Sequence, residues 1–337
     1  MDVLSASYND DKIAWYENMG GGEFGGQNII TTAANGAYSV YAADLDGDGD
    51  MDVLSAFYYD DKIAWYENLG GGEFGDQNVI TTATDGAWSV YATDLDGDGD
   101  MDVLSASRFD GKIAWYENMG NGNFGDQNVI TTATDGARSV YASDLDGDGD
   151  MDVLSASYFD DKIAWYENSV ECEGEFDCNG ECGGLDMTSC QDCNGDMDGF
   201  AVISLCGECQ GGMTGISYDE SLCTGCMDPI ALSFDAINII SDPSQCEYIT
   251  TTVAENIDSP QSVYAADIDG DGDMDALSAS FGHDKITWHE NINGDFLTHE
   301  ITSIADGATS VYSADIDADG DMDVLSASFV DNKIAWY

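Results

Sequence analysis

Positive charge is nearly absent from this sequence. Only 8 of its 337 residues are Lys or Arg, against 67 Asp or Glu, for a formal charge of −59. Nucleic acid and anionic membrane surfaces both require a basic face, so both are excluded as partners. No run approaches the ~18 apolar residues of a membrane-spanning helix, so membrane insertion is not expected either. The basic and apolar regions of a secretion signal are missing from the N-terminus. That absence decides nothing, because Met1 holds a repeat position filled again by Met51, Met101, Met151, Met274 and Met322. The chain also stops within a repeat at Tyr337, so a piece of a longer protein is expected. Nowhere do apolar residues recur at i, i+3 and i+4 over a helical length, which argues against helices.

Extreme acidity often accompanies disorder, but disordered chains also lack aromatic residues and a regular apolar pattern. Here aromatics reach 11% and hydrophobics 43%, enough for a packed core. What organises them is self-similarity. Residues 1–50, 51–100 and 101–150 are near-copies, a fourth copy runs to Asn168, and two divergent copies fill roughly 249–337. Each unit carries four short runs of the kinds "SVYAADL", "MDVLSAS", "KIAWYEN" and "QNIITTA". Val, Ile, Tyr and Trp punctuated by Gly and Asp favour strands. A period near 50 with four strands per unit fits a blade of a β-propeller and is far too long for a β-helix coil. Both faces of "KIAWYEN" are apolar, as a sheet sandwiched between two others requires. The expected architecture is all-β: a propeller of about six blades plus a small inserted domain. The boundaries are 1–168 for propeller repeats, 169–246 for a cysteine-rich insertion and 247–337 for the repeats continued.

All 10 cysteines fall between Cys172 and Cys246. Three pairs are spaced C-x-x-C: Cys190/Cys193, Cys206/Cys209 and Cys223/Cys226. An even set suits five disulfides in an extracellular protein, with a zinc site as the alternative. The stretch "CTGCMDPIALSFDAINIISDPSQCEY" resembles a cysteine-rich module of secreted bacterial proteins.

The densest chemical signal is "DLDGDGDMD", five aspartates within nine residues at Asp44, repeated at Asp94 and Asp144, with close variants at Asp267 and Asp315. Such a cluster repels itself unless a cation offsets the charge. Oxygen donors spaced D-x-D-x-D-G-x-x-D between two strands suit Ca²⁺, a hard ion accepting six to eight irregularly placed ligands. In the first loop Asp44, Asp46 and Asp48 offer side chains, Asp50 its carbonyl, and Asp52 closes the site. The same roles fall to Asp94, Asp96, Asp98, Asp100 and Asp102, and to Asp144, Asp146, Asp148, Asp150 and Asp152. They recur in Asp267, Asp269, Asp271, Asp273 and Asp275, and in Asp315, Asp317, Asp319, Asp321 and Asp323. An EF-hand is excluded, because the flanks are strands and Ser55 stands where its closing Glu belongs.

These loops and blades resemble the FG-GAP or VCBS-type repeat, the calcium-loop blade also found in the integrin α-subunit propeller. The Phe-Gly pair of that family stands in "EFGGQ" and "EFGDQ" at Phe24 and Phe74, but is missing from blades five and six. The resemblance implies a β-propeller, in that family a ring of seven blades of which about six would be present here, with metal in the loop between each blade's first and second strands.

Six of the basic residues are lysines at one repeat position: Lys12, Lys62, Lys112, Lys162, Lys285 and Lys333. They read as hairpin ion pairs. Trp15, Trp65, Trp115, Trp165, Trp288 and Trp336 read as blade-to-blade packing rather than a sugar platform. His283, His289 and His299 read as surface drift. One crossover position runs Tyr38, Trp88, Arg138, Gln261, Thr309, and one turn position runs Tyr8, Tyr58, Arg108, Tyr158, Phe281, Phe329, with Tyr59, Phe109 and Phe159 beside it. Exposed aromatics and the only two arginines are thus expected at the end opposite the metal. No catalytic motif is present, so a non-enzymatic calcium-binding module for adhesion or binding, extracellular or on the cell surface, is expected. Its ligand would be a protein or a carbohydrate. The alternatives are a carbohydrate-binding propeller attached to a polysaccharide-degrading enzyme, and a lyase or hydrolase in its own right.

Overall fold

The computed structural model describes residues 2–168, 201–203, 209–211 and 249–337. Every regular element among them is a β-strand. The chain divides into two units, one of Met1–Glu167 with Thr250–Tyr337 and one of Asn168–Ile249. In the second, the described residues form one antiparallel pair, Ala201–Ile203 with Cys209–Gly211. The expected disulfides, zinc pairs and inserted domain lie outside the described residues.

The first unit is a β-propeller of six blades. Four have four strands and two have three. The second blade shows the pattern: Ala37–Ala43, Asp52–Phe57, Lys62–Asn68 and Phe74–Thr81, hydrogen-bonded in that order. Register repeats from blade to blade. Leu54 lies opposite Tyr41 and Trp65, as Leu104 lies opposite Tyr91 and Trp115, and Leu277 opposite Tyr264 and Trp288. In the fourth blade Lys162–Glu167 is followed across the sheet by Ile249–Glu255.

The second strand is the core of each of the four blades between the first and the last. All six residues of Asp52–Phe57, Asp102–Ser107, Asp152–Ser157 and Asp275–Ser280 are buried. Alternation between apolar and polar residues is lost because both sheet faces meet a neighbouring blade. Full burial of each Val or Leu there contributes roughly 1.5–3 kcal/mol.

Three repeated contacts join successive blades. On the innermost strands the hydroxyls of Ser39, Ser89, Ser139 and Ser262 accept hydrogen bonds from the backbone N–H of Val90, Val140, Val263 and Val311, at 3.2–3.4 Å. Beside them Tyr41, Tyr91, Tyr141, Tyr264 and Tyr312 form a ladder of rings with centroids 4.6–4.7 Å apart. Further out, Trp15 and Trp65 of the third strands are each capped by a glycine of the following blade. A Cβ on Gly72 would stand 2.6 Å from Trp15, and one on Gly122 only 2.4 Å from Trp65. Trp65, Trp115 and Trp165 are buried, as packing residues should be, whereas Trp336 of the last strand is half exposed.

Gly122 also has φ +67°, which strains an L side chain. Gly122→Ala combines that strain with overpacking against Trp65 and should lower stability by roughly 2–4 kcal/mol. Urea unfolding with calcium held constant measures it; an unchanged midpoint would contradict the packing described.

Candidate functional site

Each blade has two chemically different ends. At one, the loop from first to second strand carries the aspartates. Its first aspartate organises the backbone: Asp44 Oδ1 accepts the N–H groups of Gly47 and Asp48 at 2.9 and 3.1 Å, and Oδ2 accepts that of Gly49 at 3.0 Å. Asp144 and Asp267 repeat the contacts to Gly147 and Gly149 and to Gly270 and Gly272. Gly49, Gly99, Gly149, Gly272 and Gly320 hold φ of 98–103°, open to glycine alone. The carboxylates are thereby turned inward. Donor oxygens lie within 4.8 Å of one another in Asp44/Asp46/Asp48, Asp94/Asp96/Asp102, Asp144/Asp146/Asp152, Asp267/Asp269/Asp271 and Asp315/Asp317/Asp323.

The closing aspartate has a second task. Asp52 is fully buried, and its oxygens accept backbone N–H groups from Leu45 at 2.9 Å and Asn68 at 2.8 Å. Asp102 does the same with Leu95 and Asn118, and Asp275 with Ile268 and Asn291. The Asn118 and Asn291 side chains then donate to the Leu45 and Leu145 carbonyls in the loops of the preceding blades. Each oxygen retains a lone pair that can face a cation.

Burial pushes Asp52 up to about 6 and Asp102 up to about 7, against the backbone N–H groups, and the neighbouring loop carboxylates add to the rise. Burial likewise raises Asp96 to about 6. No basic side chain answers this charge. All 8 Lys and Arg of the chain lie in the second-to-third-strand turns or at the start of an innermost or third strand. That is the opposite end of the blade, about 20 Å away along six strand residues. A hard, oxygen-seeking cation fits this donor set.

At the opposite end aromatic and arginine side chains converge. Tyr8, Tyr38, Tyr58, Trp88 and Arg108, with Ala6 and Ala37, line a cavity of about 310 Å³. Tyr38 and Trp88 pack with centroids 3.8 Å apart, and Tyr8 packs edge-on to Tyr38 at 5.4 Å. The Arg138 guanidinium lies 4.4 Å from the Trp88 ring and 3.6 Å from that of Tyr158; Arg108 lies 5.1 Å from the same Trp88 ring. Arg108 donates to the Tyr58 hydroxyl and Arg138 to the Gln261 side-chain oxygen. Burial, then the neighbouring Arg108, lowers Arg138 to about 10. The Tyr8 hydroxyl is hydrogen-bonded to that of Tyr59, which pushes it up to about 12. The residues expected at this end do gather, but Trp88 is not exposed. It is 9% accessible, because innermost strands converge and stack their second residues between neighbours.

The family model for the FG-GAP-like repeat matches residues 1–55, 51–105, 94–155 and 267–326, well over half of the chain. The chain belongs to the FG-GAP-like repeat family. A search of curated protein sequences gives no match. Among solved structures, a chain of a nidogen–laminin complex is similar at TM-score 0.52 and 8% identity, over 99% of this chain and 88% of that one. Virginiamycin B lyase from Staphylococcus aureus is similar at TM-score 0.50 and 9% identity, over 100% and 80%. At such identities the likeness is one of fold.

The remaining expectations divide. Within these FG-GAP-like blades the lysines do form hairpin ion pairs: Lys12–Asp10, Lys62–Asp60, Lys112–Asp110, Lys162–Asp160 and Lys333–Asp331, at 2.6–3.8 Å. Where His283 replaces the turn aspartate, Lys285 pairs across the sheet with Glu300 at 2.7 Å. The histidines are not all surface drift. His289 is fully buried, held by Ser278, Thr287 and Thr298, and burial lowers it to about 4. It occupies the position of Tyr116 and Tyr166, whose hydroxyls face Ser105 and Ser155. His299 stacks on Trp288 at 4.6 Å and pairs with Glu290. The tyrosine ladder and serine contacts were missed, although their signal, an invariant "SVY", was visible in every repeat.

Two measurements probe the acid loops. Ala318 holds φ +62° where the other four loops place glycine. Ala318→Gly should relieve that strain and, net of glycine's unfolded-state entropy, raise stability by about 0.5–1 kcal/mol. The second is pH dependence. Asp52, Asp96 and Asp102 are raised above their unfolded value, so without metal the folded state binds extra protons between about pH 4 and pH 7. Stability in a chelator should therefore fall as pH rises through that window, and excess divalent cation should reverse the slope. Melting curves at pH 5 and 7.5, with and without chelator, check both signs.

Proposed function

We propose that this chain is a calcium-stabilised binding module working outside the cell or on its surface, with metal at one end of the blades and ligand at the other. Asp44, Asp46 and Asp48, the Asp50 carbonyl and Asp52 would hold the first ion, and the corresponding residues the other four. Bound Ca²⁺ supplies the positive charge that the loops lack. Because Asp52 and its counterparts also anchor the third strand, metal would lock the blade and not merely its loop. The family supports a binding role, since FG-GAP-like propellers are typically binding modules rather than catalysts.

The observation that carries the ligand reading is the aromatic–arginine cavity. It places Arg108 among rings at the end remote from the acid loops, and its lining contains no carboxylate, His, Ser or Cys to act as nucleophile or base. The hydroxyl of Tyr8 stays protonated at neutral pH. Recognition surfaces favour this mixture of Tyr, Trp and Arg. The aromatic lining also favours a carbohydrate ligand, and so the reading of a carbohydrate-binding propeller serving a polysaccharide-degrading enzyme.

At calcium 1,000-fold above Kd, each site would add roughly 4 kcal/mol. Excess chelator should therefore lower the Tm sharply, and Asp48→Ala should remove one calcium in a stoichiometry measurement. An unchanged Tm in chelator would end the calcium reading. For the ligand end, Tyr58→Ala and Trp88→Ala should weaken glycan-array binding while the calcium-dependent Tm shift remains. Turnover of a polysaccharide by the chain would replace the binding reading with an enzymatic one.

A further inference from the structure

The chain has only two arginines, and neither is used as the lysines are. Each lysine has a carboxylate partner, whereas among the described residues no carboxylate pairs with Arg108 or Arg138. Their partners are neutral: Tyr58, Gln261 and the faces of Trp88, Tyr158, Phe109 and Phe159. The Nε of each is buried without a hydrogen-bond partner. Two guanidiniums share one tryptophan ring at 4.4 and 5.1 Å, in a molecule with 67 carboxylates that might have neutralised them. Partly desolvated like charges repel, and the arrangement is relieved when an anion enters between or before them.

We propose that the cavity lined by Tyr8, Tyr38, Tyr58, Trp88 and Arg108 binds a single carboxylated sugar residue, a uronic acid unit of a saccharide, a deepening that rests on the binding reading above. Arg108 lines the cavity and offers its planar fork to the carboxylate. Arg138, behind Trp88, is a positioning residue that supplies a second positive charge and holds the ring. The phenols carry apolar faces for the sugar ring and hydroxyls for its own hydroxyls. Size agrees: about 310 Å³ lies at the low end of the roughly 300–1,000 Å³ of ligand pockets, room for a small unit rather than a stretched chain. Charge agrees as well. Carboxylates ring this end at Asp10, Asp60, Asp110 and Asp160, each paired with its lysine, and the whole chain carries −59. Such a field disfavours an extended polyanion lying across the face but is compatible with a single carboxylate held at Arg108. A peptide carboxylate would satisfy the fork as well, but the phenol and indole faces that make up most of the lining suit a sugar ring.

The test is ligand-observed NMR and calorimetry on the whole calcium-loaded chain. The probes are D-glucuronic and D-galacturonic acid, the uncharged D-glucose and D-galactose, and a short peptide with a free C-terminal carboxylate. A uronic acid is expected to bind at least tenfold more tightly than its neutral counterpart. Arg108→Gln should erase that preference, Arg108→Lys should restore part of it, and Arg138→Gln should reduce it, with the calcium-dependent Tm shift intact in all three as evidence of folding. Neutral sugars binding equally well, with Trp88→Ala but not Arg108→Gln abolishing binding, would overturn the acidic-sugar inference and leave the binding face standing. Tighter, Arg108-dependent binding of the peptide would do the same. If no probe shows dependence on Arg108, Trp88 or Tyr58, both the inference and the assignment of this face fail.

Discussion

A buried aspartate sits at the junction on which each blade depends. Asp52 is surrounded by protein, raised by burial to about 6, and bonded to the backbone of the acid loop on one side and of the third strand on the other. Replacing it by an apolar residue would orphan two N–H groups, and leaving it charged without a cation is unfavourable. The loop carboxylates thus cannot be regarded as a surface decoration. Their charge state is transmitted to the sheet through Asp52, and to the preceding blade through the side chain of the residue at the Asn118 position.

The geometry of a propeller blade then separates the chemistry. Strand one runs from the aromatic end to the acid end, and strand two returns, so every aspartate loop emerges on one face and every lysine turn on the other. The separation leaves the acid loops with no internal counterion and reserves the turn end for side chains that do not have to neutralise anything. There, lysines are tied to turn aspartates, while Arg108 and Arg138 are left among aromatic faces. A molecule with so few cations places two of them where, among the described residues, no carboxylate pairs with them.

Repetition explains both the strength and the irregularity of the structure. Near-identical units reproduce the Leu54 register, the serine contacts and the tryptophan–glycine packing from blade to blade, so each neighbour supplies the surface the next one buries. The divergent blades keep these contacts with substitutes. His289 fills the place of a tyrosine hydroxyl, and Lys285 finds Glu300 when the turn aspartate is lost. The positions that vary between near-identical units gather at the turn end, where Tyr38, Trp88 and Arg138 pack on one another.

Strand content, blade period, lysine pairing and the position of the acid loops were legible in the sequence because each is local. Period-two strands, glycines at turn positions and carboxylates two residues apart act over a few ångströms of chain. Three things were not. The burial of Trp88 depends on Tyr38 and Arg138, each 50 positions away in a neighbouring blade, and that of His289 on strands of its own blade that must first pair around it. The tyrosine ladder appeared in the sequence only as a repeated letter, with no sign that successive copies would touch. The convergence of Arg108 and Arg138 on one tryptophan from different blades was decided by tertiary structure alone. Spacing along the chain carries no information about which side chains meet around the axis; the angle between blades does.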